Sequence, residues 1–244
     1  MIIHTYEKGE RGRACDEFAR KSAWLTRYRE VFILPIPTTR DGILLKDTDI
    51  TLSETVGRVE KGDLVICYGL ADRFKEEIRG RGADVYDAGS DEGFLEANAH
   101  LTAICTLGVL LTTEKRAPED LNFGIVGYGR IGKSLARLLL FLGADVAVYT
   151  TREKTRLELC ECGIKAYASG AGVRGIDILI NTAPAVIFST ESEGISEARI
   201  IDLASGNNFP GITGVEAYPS IPAKMFPKTA GRLLLDCAER WLGI

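Results

Sequence analysis

The chain has 244 residues, 45% of them hydrophobic, and a formal net charge of −4. That length buries a proper core, as one large domain or two smaller ones. A mildly acidic chain without a basic stripe argues against nucleic acid as a partner. The longest apolar run, around residues 135–142, is interrupted by Arg137 and is too short to cross a bilayer, so no membrane partner is expected. The opening Met1-Ile-Ile-His-Thr lacks a basic stretch followed by a long apolar one, so no signal peptide is expected and the location reads as cytoplasmic. Of six cysteines only Cys160 and Cys162 are close together, at a spacing that suits neither zinc nor a redox pair. Reduced thiols and no metal are the expectation.

Residues 1–92 alternate strand and helix. A first strand is predicted over 2–5, and a helix over 13–28 with Phe18, Trp24 and Leu25 inward. Residues 31–37 predict a strand running into a proline-stiffened turn, followed by a polar loop, Thr38-Thr39-Arg40-Asp41-Gly42. A strand over 64–68 ends at Gly69; a charged helix over 73–81 and a strand over 83–86 follow. Such alternation predicts a parallel sheet with right-handed crossovers. Phe94, Ala97, Leu101, Ile104, Gly108 and Leu111 recur at three- and four-residue steps, predicting a long helix over 91–113, buried in the core or at a dimer contact. Ala117-Pro118-Glu119-Asp120 breaks that pattern and marks a boundary.

The second half opens on the most informative stretch. The apolar run from Phe123 to Val126 reads as a buried strand. It breaks at Gly127-Tyr128-Gly129-Arg130-Ile131-Gly132, and apolar residues resume at helical spacing through Ile131, Leu135, Leu138, Leu139 and Leu142. Strand, glycine turn, helix is the order a dinucleotide site requires. Gly127 permits the tight turn, Gly129 lets backbone approach a pyrophosphate, and Gly132 lets helix and strand pack closely. The pyrophosphate then sits on free N–H groups at the positive end of the helix. A tight turn in any doubly wound domain is the plainer alternative.

Further strands are predicted over 145–150, 164–167, 176–181, 199–203 and 215–218, with a helix over 154–162. Residues 169–175 are too glycine-rich for a strong helix. The last element, 226–241, carries Leu233, Leu234, Cys237 and Trp241 on one side and is expected to dock on the N-terminal unit. The expected fold is α/β in two domains: a smaller N-terminal α/β unit over 1–116, a Rossmann doubly wound parallel sheet over 117–218, and a C-terminal helix within 219–244 that completes the N-terminal unit.

An NAD site normally places Asp or Glu about 20 residues past the glycines, on the ribose 2′-hydroxyl. Here the second strand ends in Thr150, Thr151 and Arg152. Arg152 can grip a 2′-phosphate with charged hydrogen bonds of about 1.5–3 kcal/mol each, helped by Thr150, Thr151 and Lys154. NADP is therefore expected over NAD, although a one-residue shift of register would bring Glu153 to the tip. Asn181, Thr182 and Pro184 follow the fourth strand and Asp202 ends the fifth, all facing the nicotinamide half. Asn181 and Thr182 are expected on ribose or carboxamide; Asp202 is either a proton acceptor or a loop cap. Arg40, Asp41, Lys224, Lys228 and Thr229 are the candidate substrate ligands, with Asp202 and Lys228 the candidate catalytic groups. Lys228 and Thr229 at a helix start suit a carboxylate; ordinary capping by Thr229 is the alternative.

Six segments together resemble the dipicolinate synthase A family of sporulation enzymes: Pro35-Ile-Pro-Thr-Thr-Arg-Asp-Gly42, Asn98-Ala-His-Leu-Thr-Ala103, the glycine turn, Asn181-Thr-Ala-Pro184, Asp202-Leu-Ala-Ser205 and Pro227-Lys-Thr-Ala-Gly231. The resemblance implies a two-domain, NADP-binding protein that works with a second, flavoprotein-like subunit. It also implies oxidation of a dihydrodipicolinate-type dicarboxylate to pyridine-2,6-dicarboxylate. A homo-oligomer is expected as well. Where the family helix has a carboxylate, this chain has Ile104, which points to an altered substrate or to a non-catalytic NADP-binding paralogue or sensor. The fold is also similar to D-2-hydroxyacid dehydrogenases and adenosylhomocysteine hydrolase. No histidine follows His100, so the late acid/base histidine of the hydroxyacid dehydrogenases has no counterpart.

Overall fold

A computed structural model describes residues 1–243. They form two compact units, one of residues 1–98 with the chain from 222 on, the other of residues 99–221. In the first unit, β1 (Ile2–Thr5), α1 (Gly9–Lys21), β2 (Glu30–Ile33), α2 (Leu52–Gly57), β3 (Leu64–Cys67), α3 (Asp72–Gly80) and β4 (Asp84–Asp87) build a parallel sheet in the order β1-β2-β3-β4. Side chains alternate across it as a strand requires. Val31, Ile33, Leu64, Ile66 and Tyr86 share one core with α1, while Phe32, Leu34, Val65, Cys67 and Val85 share another with α2 and α3.

Two local features depart from expectation. The helix predicted over 13–28 starts earlier and ends at Lys21; Ser22 donates its hydroxyl to the Phe18 carbonyl, and a separate 3-10 turn covers Ala23–Arg27. By propensity Gly9 and Gly12 disfavour a helix there. Gly12 is nevertheless required, because a Cβ would lie 1.8 Å from the Glu7 carbonyl oxygen. The second feature is α2, which hydrophobic periodicity does not reveal. Its Thr51–Glu54 capping box is the signal that identifies it.

The long helix α4 (Glu92–Thr113) is present as expected. It puts Phe94 into the core of the first unit and Ala103 and Leu110 into that of the second. The division between units therefore passes within α4, after Asn98, rather than after residue 116. α4, not the 135–142 run, is also the segment long and apolar enough to cross a membrane by length and composition; half of that stretch is buried in the protein.

The second unit continues with β5 (Asn122–Val126), α5 (Arg130–Phe141), β6 (Asp145–Thr150), α6 (Glu153–Glu161), β7 (Lys165–Ala168), β8 (Ile178–Asn181), β9 (Arg199–Asp202) and β10 (Glu216–Ala217). The strands are parallel in the order β10-β9-β8-β5-β6-β7. The order reverses between β5 and β8, so a crevice opens at their carboxyl ends. One face of this sheet packs on α4, α5 and α6 through Phe123, Ile125, Val148 and Ile180. The other is covered by loops, through Val173, Phe188, Ile195 and Phe209, because glycines and prolines interrupt the connections after β7, β8 and β9.

Helix α7 (Ile221–Met225) and α8 (Pro227–Trp241) close the described chain. α8 returns to the first unit and packs on α1 at Gly231, where a Cβ would lie 3.1 Å from the Ala14 Cβ. Its buried face is Ala230, Gly231, Leu234, Leu235, Cys237 and Ala238; Leu233 is half-buried, and Trp241 is largely exposed with its ring centroid 5.6 Å from that of Tyr86.

Candidate dinucleotide site

The glycine turn is held from three sides within the second unit. Gly127 adopts φ +89°, a left-handed conformation that favours glycine, and its N–H donates to the Tyr149 carbonyl at 2.8 Å. The Thr182 hydroxyl donates to the Val126 carbonyl at 2.9 Å, and a Cβ on Gly127 would meet that hydroxyl oxygen at the same distance. At Gly132 a Cβ would lie 2.2 Å from the Gly127 carbonyl oxygen, so α5 can start against β5 only with glycine here. Gly129 differs. It is the N-cap of α5, no side chain caps that helix, and a Cβ on it meets nothing within 4 Å.

Beside this turn lies a cavity of about 510 Å³, within the range of small-molecule sites. Gly127, Tyr128 and Gly129 form its floor; Thr150, Thr151, Arg152 and Ser169 line the β6 side, and Thr182 with Pro184 the β8 side. Uncapped helix N–H groups, open space at Gly129 and a cationic strand tip fit the diphosphate and ribose of a nicotinamide dinucleotide.

At the β6 tip the strand ends on Thr150, and Glu153 is already the first residue of α6. Glu153 is thus past the strand end and is not among the residues that line the cavity. Thr150 is buried and its hydroxyl accepts from the Arg152 N–H at 3.3 Å, while Thr151 and Arg152 are exposed. Arg152 makes no ion pair among the described residues. Lys154 does not join the site: its side chain is 90% exposed and is paired with Glu158 at 3.8 Å. Arg156 instead donates to the Thr150 carbonyl at 2.9 Å, four residues past Arg152 and on the same side of the helix. Arg130 and Ile131 open α5, exposed and half-buried respectively.

The residues expected on the nicotinamide half behave differently from one another. Asp202 is 3% exposed, and its carboxylate accepts from the Asn181 amide at 2.8 Å, the Asn208 amide at 3.0 Å and the Ala204 N–H at 3.1 Å. With both oxygens occupied, Asp202 braces two loops and does not present a free proton acceptor. Asn181 is equally buried; besides Asp202 it bonds the Ala183 backbone through both its oxygen and its nitrogen. The hydroxyl of Thr182 is committed to the turn. Asn181 and Asp202 therefore shape the wall from behind, and the cavity itself is lined by Thr182, Ala183 and Pro184.

The candidate substrate residues belong to the first unit. Arg40 is 70% exposed and pairs with Asp47 at 3.5 Å. Asp41 closes its own turn: it accepts from the Thr39 hydroxyl and the Ile43 and Leu44 N–H groups, and the Ile43 and Leu44 bonds hold its carboxyl below the usual range. Lys224 is exposed on α7. Lys228 and Thr229 are exposed in the first turn of α8, which no side chain caps, so the capping alternative for Thr229 is not seen. Lys228 lies beside α1, where Lys21 first and Lys228 to a lesser degree hold the Glu17 carboxyl low. One further contact was not read from sequence: His100 Nδ1 on α4 is 2.9 Å from the Ser134 hydroxyl on α5.

Residues 111–203 match the family described as D-isomer specific 2-hydroxyacid dehydrogenase, NAD binding domain. Over 131 residues the chain is 32% identical to the dipicolinate synthase A protein of Bacillus subtilis (strain 168), a match covering 48% of this chain and 44% of that protein. Over that stretch the chain is similar to dipicolinate synthase A. That sequence match spans less than half of the curated relative's length. Crystal structures of dipicolinate synthase A proteins share the fold along the whole chain: the Bacillus halodurans protein has a TM-score of 0.73 at 20% identity, with 97% of its chain covered, and the Bacillus subtilis protein 0.74 at 18%, with 96% covered. A transhydrogenase from Sinorhizobium meliloti follows at 0.62 and 15%, over 99% of this chain and 93% of its own. The match over residues 111–203 supports a nicotinamide-dinucleotide-binding domain in the second unit.

Proposed function

We propose that the protein is an NADP-linked oxidoreductase that acts on a small cyclic dicarboxylate of the dihydrodipicolinate type, together with a second, flavoprotein-like subunit. The observation that carries the cofactor part is the cavity beside Gly127–Gly129, with hydroxyls and a guanidinium, and no carboxylate, at the β6 tip. A bound nicotinamide dinucleotide supplies the hydride acceptor. The chain holds it: uncapped α5 N–H groups take the diphosphate, Arg152 and Thr151 take the 2′-phosphate, and Pro184 with Thr182 walls the opposite side. Aromatisation of a dihydropyridine drives its own oxidation, so the protein need only take up a proton and neutralise two carboxylates. Arg40, Lys224 and Lys228 are the cations proposed for that second task.

A non-catalytic NADP-binding partner is the second reading. It is favoured by Ile104 where the related family has a carboxylate, and by a cavity lined with no histidine, lysine or carboxylate. Synthesised dihydrodipicolinate mixed with NADP, with and without a flavoprotein partner, separates the two. Appearance of reduced nicotinamide absorbance supports turnover; tight NADP binding with no absorbance change leaves the binding role. Arg152→Ala should weaken NADP by about 1.5–3 kcal/mol and leave NAD little changed. Equal losses for both nucleotides would show that Arg152 does not read the phosphate.

A further inference from the structure

We infer that Arg156 is a second ligand of the 2′-phosphate and sets the preference for NADP jointly with Arg152, an assignment that rests on the cofactor reading above. The guanidinium of Arg156 is fixed at the crest of β6 by its bond to the Thr150 carbonyl, 2.9 Å away. That bond uses one of five N–H donors, and no acidic side chain takes the others among the described residues. Thr150 occupies the strand-end position where a carboxylate would otherwise bind a ribose diol, and Thr151, Arg152 and Ser169 line the adjoining cavity.

Arg152 is the N-cap of α6, and Arg156 lies one helical turn on, on the same side; Lys154 lies on the other and is paired with Glu158. Arg152 lines the cavity and Arg156, one helical turn on, stands outside its lining; no carboxylate is paired with either among the described residues, and an anion held beside Arg152 would draw the Arg156 guanidinium toward it. A phosphate monoester carries the oxygens to accept from both forks. A ribose diol offers only neutral oxygens and gains little from a second guanidinium. The contribution of Arg156 is therefore expected to be selective for the phosphorylated nucleotide.

Calorimetric titration of Arg156→Gln with NADP and with NAD tests this. NADP should bind at least about tenfold more weakly than to the wild type, equivalent to about 1.4 kcal/mol, with NAD changed less than about twofold. Equal losses for both nucleotides, or none, overturn the assignment and leave Arg156 as a brace of the β6 carbonyl. Should Arg156→Gln not fold, Arg156→Lys serves instead: the NADP-to-NAD affinity ratio falls if the fork reads phosphate and stays constant if it only braces. A wild-type protein that prefers NAD defeats the cofactor reading itself. A wild type that prefers NADP, with equal losses in the variant, defeats only the role of Arg156.

Discussion

Gly132→Ala should destabilise the second unit by about 3 kcal/mol, whereas Gly129→Ala, in the same turn, should change stability by less than about 0.5 kcal/mol and abolish nucleotide binding. The two glycines differ in what a methyl group would meet. At Gly132 it falls 2.2 Å from the Gly127 carbonyl oxygen, and no rotamer relieves a clash between Cβ and backbone. Either α5 lifts off β5 or the turn reopens, and both break the bond between Thr182 and Val126. At Gly129, φ is −83°, which any residue adopts, and the methyl meets nothing in the protein. It projects into space that a diphosphate must enter to reach the α5 N–H groups. Urea unfolding gives the stability half of the comparison and calorimetry the binding half. A Gly129→Ala protein that binds nucleotide as the wild type does would remove the diphosphate from this turn.

Asp202→Ala should cost about 3 kcal/mol or more, because it strips partners from several buried donors, each worth about 1–3 kcal/mol when left unsatisfied. The Asn181 amide would keep only the Ala183 carbonyl, and the Asn208 amide only a long contact of 3.4 Å to the Ser205 carbonyl. The loop after β8, which walls the cavity, and the loop after β9 would then lose their common anchor. Asp202→Asn keeps the shape but points an amide donor at other amide donors, and should fall between wild type and Asp202→Ala. Denaturant midpoints check the order. A loss below about 0.5 kcal/mol for Asp202→Ala would return Asp202 to consideration as a proton acceptor, since a group that serves only chemistry leaves stability nearly unchanged when removed.

The glycine turn was legible because its constraints are local. Tight φ at Gly127, close packing at Gly132 and helical spacing after Ile131 are all carried by neighbouring residues, and β6 falls on the expected 145–150. The surroundings of the β6 tip were partly legible. Strand periodicity placed Arg152 just past the strand end, but sequence alone did not reveal that Lys154 turns to Glu158 while Arg156, four residues past Arg152, reaches back to the Thr150 carbonyl. Asp202 was legible only in part: the loop cap read as one alternative is present in its bond from the Ala204 N–H, but its side-chain partners were not foreseeable. Its partners Asn181 and Asn208 come from separate connections, and only the folded sheet brings β8 and β9 together to bury all three. The same holds for His100 and Ser134, which lie far apart in sequence on α4 and α5. On the loop-covered face of the second sheet, glycines and prolines reported correctly that helices would be missing after β7, but not which apolar side chains would replace them.

Titrating the unmodified protein with NADP and, separately, with NAD tests most directly whether this turn and strand tip hold a 2′-phosphorylated dinucleotide. NADP bound at least about tenfold more tightly than NAD is the expected outcome, a gap of about 1.4 kcal/mol or more from charged hydrogen bonds that NAD cannot make. NAD bound as tightly as NADP, or no heat from either, would contradict it.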